Sequence, residues 1–138
     1  MTLVFADTFY YLALANPRDA THRAAREFAG AFRGTILTTS GVLMELGDAL
    51  SQRANRSKAV EWLELIRVDP DTEVVQLAED LLSRGIDLFR ARPDKDWSLT
   101  DCVSFVVMSE LGLTDALTGD HHFEQAGFRA LLKSNDAS

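Results

Sequence analysis

The chain has 138 residues, of which 46% are hydrophobic and 25% are charged, and its formal net charge is -7. This size and composition predict one domain, covering residues 1–138, with a core of ordinary extent. The net charge argues against a protein that coats nucleic acid through bulk charge, but not against an enzyme that concentrates acids at a metal site. No apolar run approaches the roughly 20 residues that cross a bilayer, and the lone Cys102 cannot form an internal disulfide, so we expect a cytoplasmic protein.

Short apolar runs alternate with helical patterns through the first half of the chain. Residues 3–6 suit a buried strand, and the following helix, residues 8–15, stops at Asn16-Pro17 because proline disfavours the helical conformation before it. A second helix is predicted over residues 19–32, and a second strand over residues 35–38. Thr39 or Ser40 is a suitable N-cap for a third helix that runs to about Gln52.

The second half repeats this alternation. It predicts helices over residues 59–66 and 77–91, a strand over residues 73–76 between them, and a nearly all-apolar helix from Ser98 to Leu111. Ser98 and Asp101 have the spacing of a capping box. Residues 115–118 and 128–132 suit two last strands, and residues 133–138 a frayed tail. The pattern predicts an α/β sandwich with a mostly parallel sheet of about five strands.

Four acids fall at one predicted edge of this sheet. Asp7 and Asp120 follow strands, while Glu45 and Asp101 lie near the starts of helices that come after strands or loops at that edge. In open parallel sheets, ligands bind at the carboxyl ends of the strands. Carboxylates brought together repel one another, and Mg²⁺ or Mn²⁺ with oxygen ligands would relieve the repulsion.

Each acid also has a structural interpretation when taken alone. Asp101 can cap its helix, Asp7 and Asp120 can be turn residues, and Glu45 can be a solvated helix residue. Their coincidence at one edge favours a metal site suited to phosphodiester hydrolysis, in which the metal activates a water molecule.

The motifs that carry these acids resemble those of the PIN-domain family, and in particular the VapC-type toxins. The resemblance rests on Asp7-Thr8 after the first strand, the lone Glu45, the segment Trp97-Ser-Leu-Thr-Asp101-Cys, and the segment Leu117-Thr118-Gly-Asp120-His-His-Phe with Gly-Phe after it. It extends over essentially the whole chain.

The resemblance implies a PIN-like three-layer α/β/α sandwich and a metal-dependent endoribonuclease, the toxin of a toxin–antitoxin pair. It implies an RNA substrate, a cognate antitoxin as partner and a homodimer. The implied ligands of Mg²⁺ or Mn²⁺, which are also the catalytic residues, are Asp7, Glu45, Asp101 and Asp120. By the same resemblance, Thr8, Ser98 and Thr118 match the family's polar positions near the metal or its water molecules. His121 receives no role, and His122 is expected to brace the turn together with Phe123.

Other residues suggest contacts with partners. Two local basic clusters are candidate phosphate contacts, with ordinary surface charge as the alternative; they contain Arg53, Arg56, Lys58, Arg90, Arg92 and Lys95. In VapC-type toxins the early helices form a groove for an antitoxin segment, and the resemblance implies such a groove here. The alternative is plain core, which must absorb most of the apolar residues concerned: Phe9, Tyr10, Tyr11, Leu46, Leu50, Trp62 and Leu63.

Two other functions are alternatives to a metal-dependent nuclease. A phosphatase of the haloacid dehalogenase type would use Asp7 as nucleophile, but that family requires a second Asp where this chain has Phe9. A non-catalytic interaction or regulatory module would keep the fold without activity, and the intact set of four acids argues against it.

Overall fold

A computed structural model describes residues 2–133, which form a five-stranded sheet with helices packed around it. Every strand pair is parallel, and the strand order is β3-β2-β1-β4-β5. The strands are β1 (Leu3–Ala6), β2 (Thr35–Thr39), β3 (Thr72–Val75), β4 (Asp115–Leu117) and β5 (Arg129–Ala130). The predicted α/β class and five strands are confirmed, and the sheet is parallel throughout.

Helices connect all of these strands. They are α1 (Thr8–Ala15), α2 (His22–Ala31), α3 (Ser40–Ala49), α4 (Arg56–Val68), α5 (Glu79–Ala91), α6 (Leu99–Glu110) and α7 (His121–Gln125). The chain changes its direction across the sheet at β3, the edge strand. Because connections between parallel strands are right-handed, the helices before β3 and the helices after it lie on opposite faces of the sheet. No helix in residues 2–133 is long and apolar enough to cross a membrane.

The predicted elements differ from the observed ones mainly at their ends. The second helix begins at His22 rather than residue 19, α4 is longer than predicted at both ends, and β5 has two residues instead of five. The helix α7 was not predicted at all, since one polar turn carries no helical periodicity. The predicted frayed tail lies outside the described residues except for Lys133, whose Nζ lies 3.2 Å from Glu124 Oε2.

The core is built around β1, the middle strand. Phe5 and Leu117 are fully buried on neighbouring strands, and Leu37 of β2 is 1% exposed. Phe123 of α7 is also fully buried and packs edge-on against Phe105 of α6, with ring centroids 4.9 Å apart. The short helix is therefore fixed to the core through its aromatic residue.

The two halves of the sheet meet at β1, because β2 and β3 lie on one side of it and β4 and β5 on the other. The strand β1 pairs with β2 on one side and with β4 on the other, so a crevice opens at the carboxyl ends of β1 and β4. Ala6 is in register with Leu117, and the backbone N–H of Asp7 donates to the Leu117 carbonyl at 3.3 Å. The residues that follow these two strands consequently meet at one place.

Candidate metal centre

Asp7 and Thr118 occupy the floor of the crevice. Asp7 follows β1 and is 5% exposed, and Thr118 follows β4 and is fully buried. The Thr118 hydroxyl donates to Asp7 Oδ2 at 2.9 Å, and the same hydroxyl oxygen accepts the backbone N–H of Asp120 at 3.0 Å. One threonine thus ties together the acids that end the two central strands.

Glu45 reaches the crevice from α3, one turn beyond the start of that helix. Thr39 caps α3, as predicted, by accepting the backbone N–H of Val42 at 3.1 Å. Glu45 Oε1 accepts the hydroxyl of Thr8 at 2.5 Å. Because Thr8 directly follows Asp7, this bond brings the third acid beside the first.

Asp101 enters from α6 through the predicted capping box. Ser98 Oγ accepts the backbone N–H of Asp101 at 2.9 Å, and Asp101 Oδ2 accepts the backbone N–H of Ser98 at 3.1 Å. The capping box uses only Oδ2 of the carboxylate, and Asp101 is 6% exposed. A capping role and a ligand role are therefore compatible in the same residue.

Asp120 caps α7 and meets Asp101 through a histidine. Asp120 Oδ1 accepts the backbone N–H of His122 at 2.9 Å, while His122 Nδ1 lies 3.1 Å from Asp101 Oδ2 and 3.5 Å from Asp120 Oδ1. Phe123 braces this turn as predicted, but the imidazole contacts two of the site acids. Sequence reasoning missed this contact, since nothing in the chain indicates which acid a histidine 21 residues away will approach.

The four acids carry unbalanced negative charge. No lysine or arginine in residues 2–133 forms an ion pair with any of them. The pKa of Asp7 is raised to about 7, chiefly by burial and also by the charges of Asp101 and Glu45, while hydrogen bonds from Thr118 and Thr8 oppose the rise. A site with this surplus of carboxylate is electrostatically suited to a divalent cation.

The hydrogen bonds leave ligand atoms free. Glu45, Asp101 and Asp120 each accept hydrogen bonds from the described residues through one oxygen only: Oε1, Oδ2 and Oδ1, respectively. Their other oxygens accept none, so they can bind a cation without breaking a contact of the fold. The chemistry of these donors therefore fits a hard, oxygen-preferring metal ion.

Imidazole nitrogen also lies at the rim of the site. Ligating atoms of Asp120, His121 and His122 lie within 4.8 Å of one another, the one group of three such residues that is this tight within residues 2–133. His121 is largely exposed, and its Nδ1 is 3.6 Å from Asp120 Oδ1. The four acids themselves are thus more widely spaced than this group and are linked through hydroxyl and imidazole groups.

Most of the predicted phosphate contacts are engaged elsewhere in the chain. Arg56 donates to the Ser51 carbonyl at 2.8 Å, and Lys58 donates to the Ala15 carbonyl at 3.1 Å. Arg90 pairs with Asp87, and Arg92 pairs with Asp94 and lies over the Trp97 ring. Arg53 is exposed and has no side-chain partner among the described residues. An RNA-contact role for these residues stays a prediction.

A cavity of about 680 Å³ lies between α1, α2 and α4. It borders the first residues of β2 and β3, at the end of the sheet opposite the acids. Three of the residues predicted for a partner groove line it, namely Tyr10, Tyr11 and Trp62, whereas Leu46 is fully buried in the core. The buried Tyr11 hydroxyl has no hydrogen-bond partner in the described part of the chain.

Comparisons with known proteins identify relatives of this chain. The sequence model of the PIN domain matches residues 4–129. The 23S rRNA-specific endonuclease VapC20 of Mycobacterium tuberculosis is 29% identical to this chain over 126 residues, which are 91% of this chain and 95% of that protein.

Solved structures have a similar fold. The crystal structure of Mycobacterium tuberculosis VapC20, described as a sarcin–ricin loop cleaving toxin, superposes with a TM-score of 0.85 at 28% identity, covering 93% of this chain and 97% of that one. VapBC2 of Rickettsia felis, bound to a fragment of its promoter DNA, has a TM-score of 0.65 at 14% identity, with 91% and 94% covered. A toxin–antitoxin complex of Klebsiella pneumoniae has a TM-score of 0.59 at 15% identity, with 86% and 87% covered. The last two likenesses concern the fold alone.

Proposed function

This chain belongs to the PIN-domain family, and from this premise we propose that it is a divalent-metal-dependent endoribonuclease, the toxin of a toxin–antitoxin pair. The observation that carries the proposal is the convergence of Asp7, Glu45, Asp101 and Asp120 in one crevice without a lysine or arginine among their described partners. The similarity to an endonuclease along nearly the full length of both chains supports it.

The four acids would hold Mg²⁺ or Mn²⁺. A divalent cation bound there supplies an activated water as nucleophile and stabilises the negative charge that develops on the phosphate. Glu45, Asp101 and Asp120 would offer the oxygens that the protein leaves free, and Asp7 would lose its electrostatic penalty in the presence of the cation.

The hydroxyl-bearing residues of the site form hydrogen bonds that hold the four acids in place. The hydroxyl of Thr118 fixes Asp7 and the backbone of Asp120 together, and Thr8 fixes Glu45. Ser98 holds Asp101 at the start of α6 through the capping box. These contacts would hold the carboxylates in defined orientations before the metal and RNA arrive.

Ribosomal RNA is the first substrate to test, because the similar VapC20 is named as specific for 23S rRNA. Purified protein is incubated with intact ribosomes in Mg²⁺ or Mn²⁺, and cleavage is mapped by primer extension along 23S rRNA. We expect discrete cleavage with metal and none after chelation. Such a substrate would also place the protein in the cytoplasm.

Substitution of the acids separates the enzyme from a non-catalytic module. Asp7→Asn and Asp101→Asn should lower cleavage by at least about 100-fold, because the metal loses a charged ligand. The matched control is Asp48→Asn, an exposed acid of α3 outside the crevice. Cleavage by Asp7→Asn at the wild-type rate, or no RNA cleavage by the wild-type protein under any metal condition, would refute the proposal.

The partner we propose is an antitoxin that inserts apolar side chains into the cavity between α1, α2 and α4. Leu65 at its rim is 57% exposed, and Trp62 and Tyr11 lie within it.

Copurification tests this partner. Leu65→Glu places a charge at the cavity rim and should abolish copurification with the co-expressed antitoxin while leaving RNA cleavage intact. Val60→Glu is the matched control, because Val60 is exposed on the same helix and does not line the cavity. Equal antitoxin binding by both variants would place the antitoxin elsewhere.

Light scattering of the free toxin tests the homodimer, which stays a prediction.

A further inference from the structure

Within residues 2–133, His122 is the residue whose side chain approaches the carboxylates of two of the four acids. Its Nδ1 lies 3.1 Å from Asp101 Oδ2 on α6 and 3.5 Å from Asp120 Oδ1 at the start of α7. A carboxylate oxygen accepts hydrogen bonds, so the imidazole carries a hydrogen on Nδ1 and donates a hydrogen bond to Asp101 Oδ2. The ring therefore spans the gap between two carboxylates that belong to separate helices.

The neighbouring histidine does not share this arrangement. His121 has 70% of its side chain exposed, against 19% for His122, and its Nδ1 approaches only Asp120, at 3.6 Å. The two rings lie 4.5 Å apart. The chain thus provides two adjacent imidazoles of the same chemistry, of which one joins α6 to α7 and the other faces solvent.

The position of His122 does not depend on its own side chain. Its backbone N–H is held by Asp120 Oδ1 at 2.9 Å, and the next residue, Phe123, is fully buried between Phe5 and Phe105. Removing the imidazole therefore leaves α7 anchored to the core. What changes is the restraint on Asp101, whose Oδ2 would keep only the backbone N–H of Ser98.

We propose that His122 is a positioning residue that sets the separation and orientation of Asp101 and Asp120 for binding a divalent cation. This inference rests on the proposed function, because it requires that the two acids bind metal. Residues that orient metal ligands from behind typically contribute about 10- to 100-fold in metal affinity. The free oxygens of Asp101 and Asp120 can face the same cation only if the two helices keep their relative placement.

Isothermal titration with Mn²⁺ tests the proposal on four proteins: the wild type, His122→Ala, His122→Asn and His121→Ala. We expect His122→Ala to bind Mn²⁺ about 10- to 100-fold more weakly. Asn places an N–H donor at nearly the position of imidazole Nδ1, so His122→Asn should recover much of the affinity. His121→Ala should bind like the wild type. Wild-type affinity in His122→Ala, or an equal loss in His121→Ala, overturns the proposal.

A second measurement needs no metal. Nitrogen-15 NMR of the metal-free protein should report His122 protonated on Nδ1, and thermal unfolding should show His122→Ala folded. A purely structural role would lower the melting temperature and leave Mn²⁺ affinity unchanged.

The two proposals can fail separately. If the wild type binds Mn²⁺ but cleaves no RNA while His122→Ala still loses affinity, the nuclease proposal fails and the positioning role stands. If His122→Ala binds Mn²⁺ normally in a protein that cleaves RNA, the positioning role alone fails. Absence of Mn²⁺ binding by the wild type overturns both.

Discussion

Thr118 Oγ1 donates to Asp7 Oδ2 at 2.9 Å across a sequence separation of 111 residues. Its oxygen also accepts the backbone N–H of Asp120 at 3.0 Å. A single buried hydroxyl, directly after the last residue of β4, thus controls the orientation of two of the four acids.

Thr118→Val should reduce activity strongly while preserving side-chain volume. It removes the donor to Asp7 and the acceptor for the Asp120 N–H, and a hydrogen bond to a charged group contributes about 1.5–3 kcal/mol. We expect a loss of about 10- to 100-fold in kcat/KM for RNA cleavage. Thr118→Ser retains the hydroxyl and is the matched control. Equal activity of the Val and Ser variants would show that the hydroxyl is dispensable.

Asp7 should make the metal-free protein less stable as the pH rises. Burial raises its pKa to about 7, above the unfolded value of about 3.9. Between these two values the folded state holds a proton that the unfolded state has lost, so the free energy of unfolding falls by about 1.4 kcal/mol per pH unit. The stabilisation is complete below about pH 4 and is lost by about pH 7.

The experiment for this prediction compares wild type with Asp7→Asn by urea unfolding in chelator at pH 5 and pH 8. Asn carries no charge at either pH and can still accept the Thr118 hydrogen bond. We expect the variant to be more stable than the wild type at pH 8, by up to about 4 kcal/mol, and by less at pH 5. Adding Mg²⁺ should raise only the wild-type stability. An advantage that does not change with pH would contradict the assignment to Asp7.

Arg53 is a predicted phosphate contact whose side chain is exposed and has no hydrogen-bond or ion-pair partner among the described residues. Arg53→Ala should therefore raise KM for RNA without changing kcat or Mn²⁺ affinity, and should lower the salt slope of RNA binding by about one ion. Arg23→Ala is a control with the same change in charge at an exposed site on α2, where Arg23 pairs with Glu27. An identical salt slope in the two variants would exclude a specific contact by Arg53.

Gly85 allows α5 and α6 to approach closely. A Cβ atom at this position would lie 2.6 Å from Val103 Cγ2. Overpacking costs about 1–3 kcal/mol, which exceeds the gain of about 1 kcal/mol from replacing Gly by Ala in a helix. Gly85→Ala should therefore lower the free energy of unfolding, as measured in urea. Gly30→Ala on α2, where a Cβ meets no atom within 4 Å, should instead be neutral or stabilising.

The glycine in α5 illustrates what a sequence can and cannot predict. The helical spacing of the apolar residues predicted α5 despite Gly85, but the partner that requires a glycine lies 18 residues away on α6. The capping box at Ser98 and the N-cap at Thr39 were likewise predictable, because caps depend on residues within one turn.

Contacts between distant segments were not predictable in this way. The strand order brings Thr118 to Asp7, and no local pattern encodes that pairing. The carbonyl groups to which Arg56 and Lys58 donate, after α3 and at the end of α1, could not be predicted from the basic cluster in which these residues lie. The five-residue helix α7 was missed because its one turn is specified by the Asp120 cap and the burial of Phe123 rather than by periodicity.

The placement of β1 between β2 and β4 also bears on how a cell can make this protein. Asp7 is synthesised early, but Asp101, Thr118 and Asp120 are synthesised late, and β4 must pair with β1 before the acids can meet. A growing chain can therefore bring the four acids together only after β4 has been synthesised and has paired with β1. The proposed metal site thus depends on the strand pairing with the longest sequence separation in the sheet, so it appears together with the folded domain and not before it.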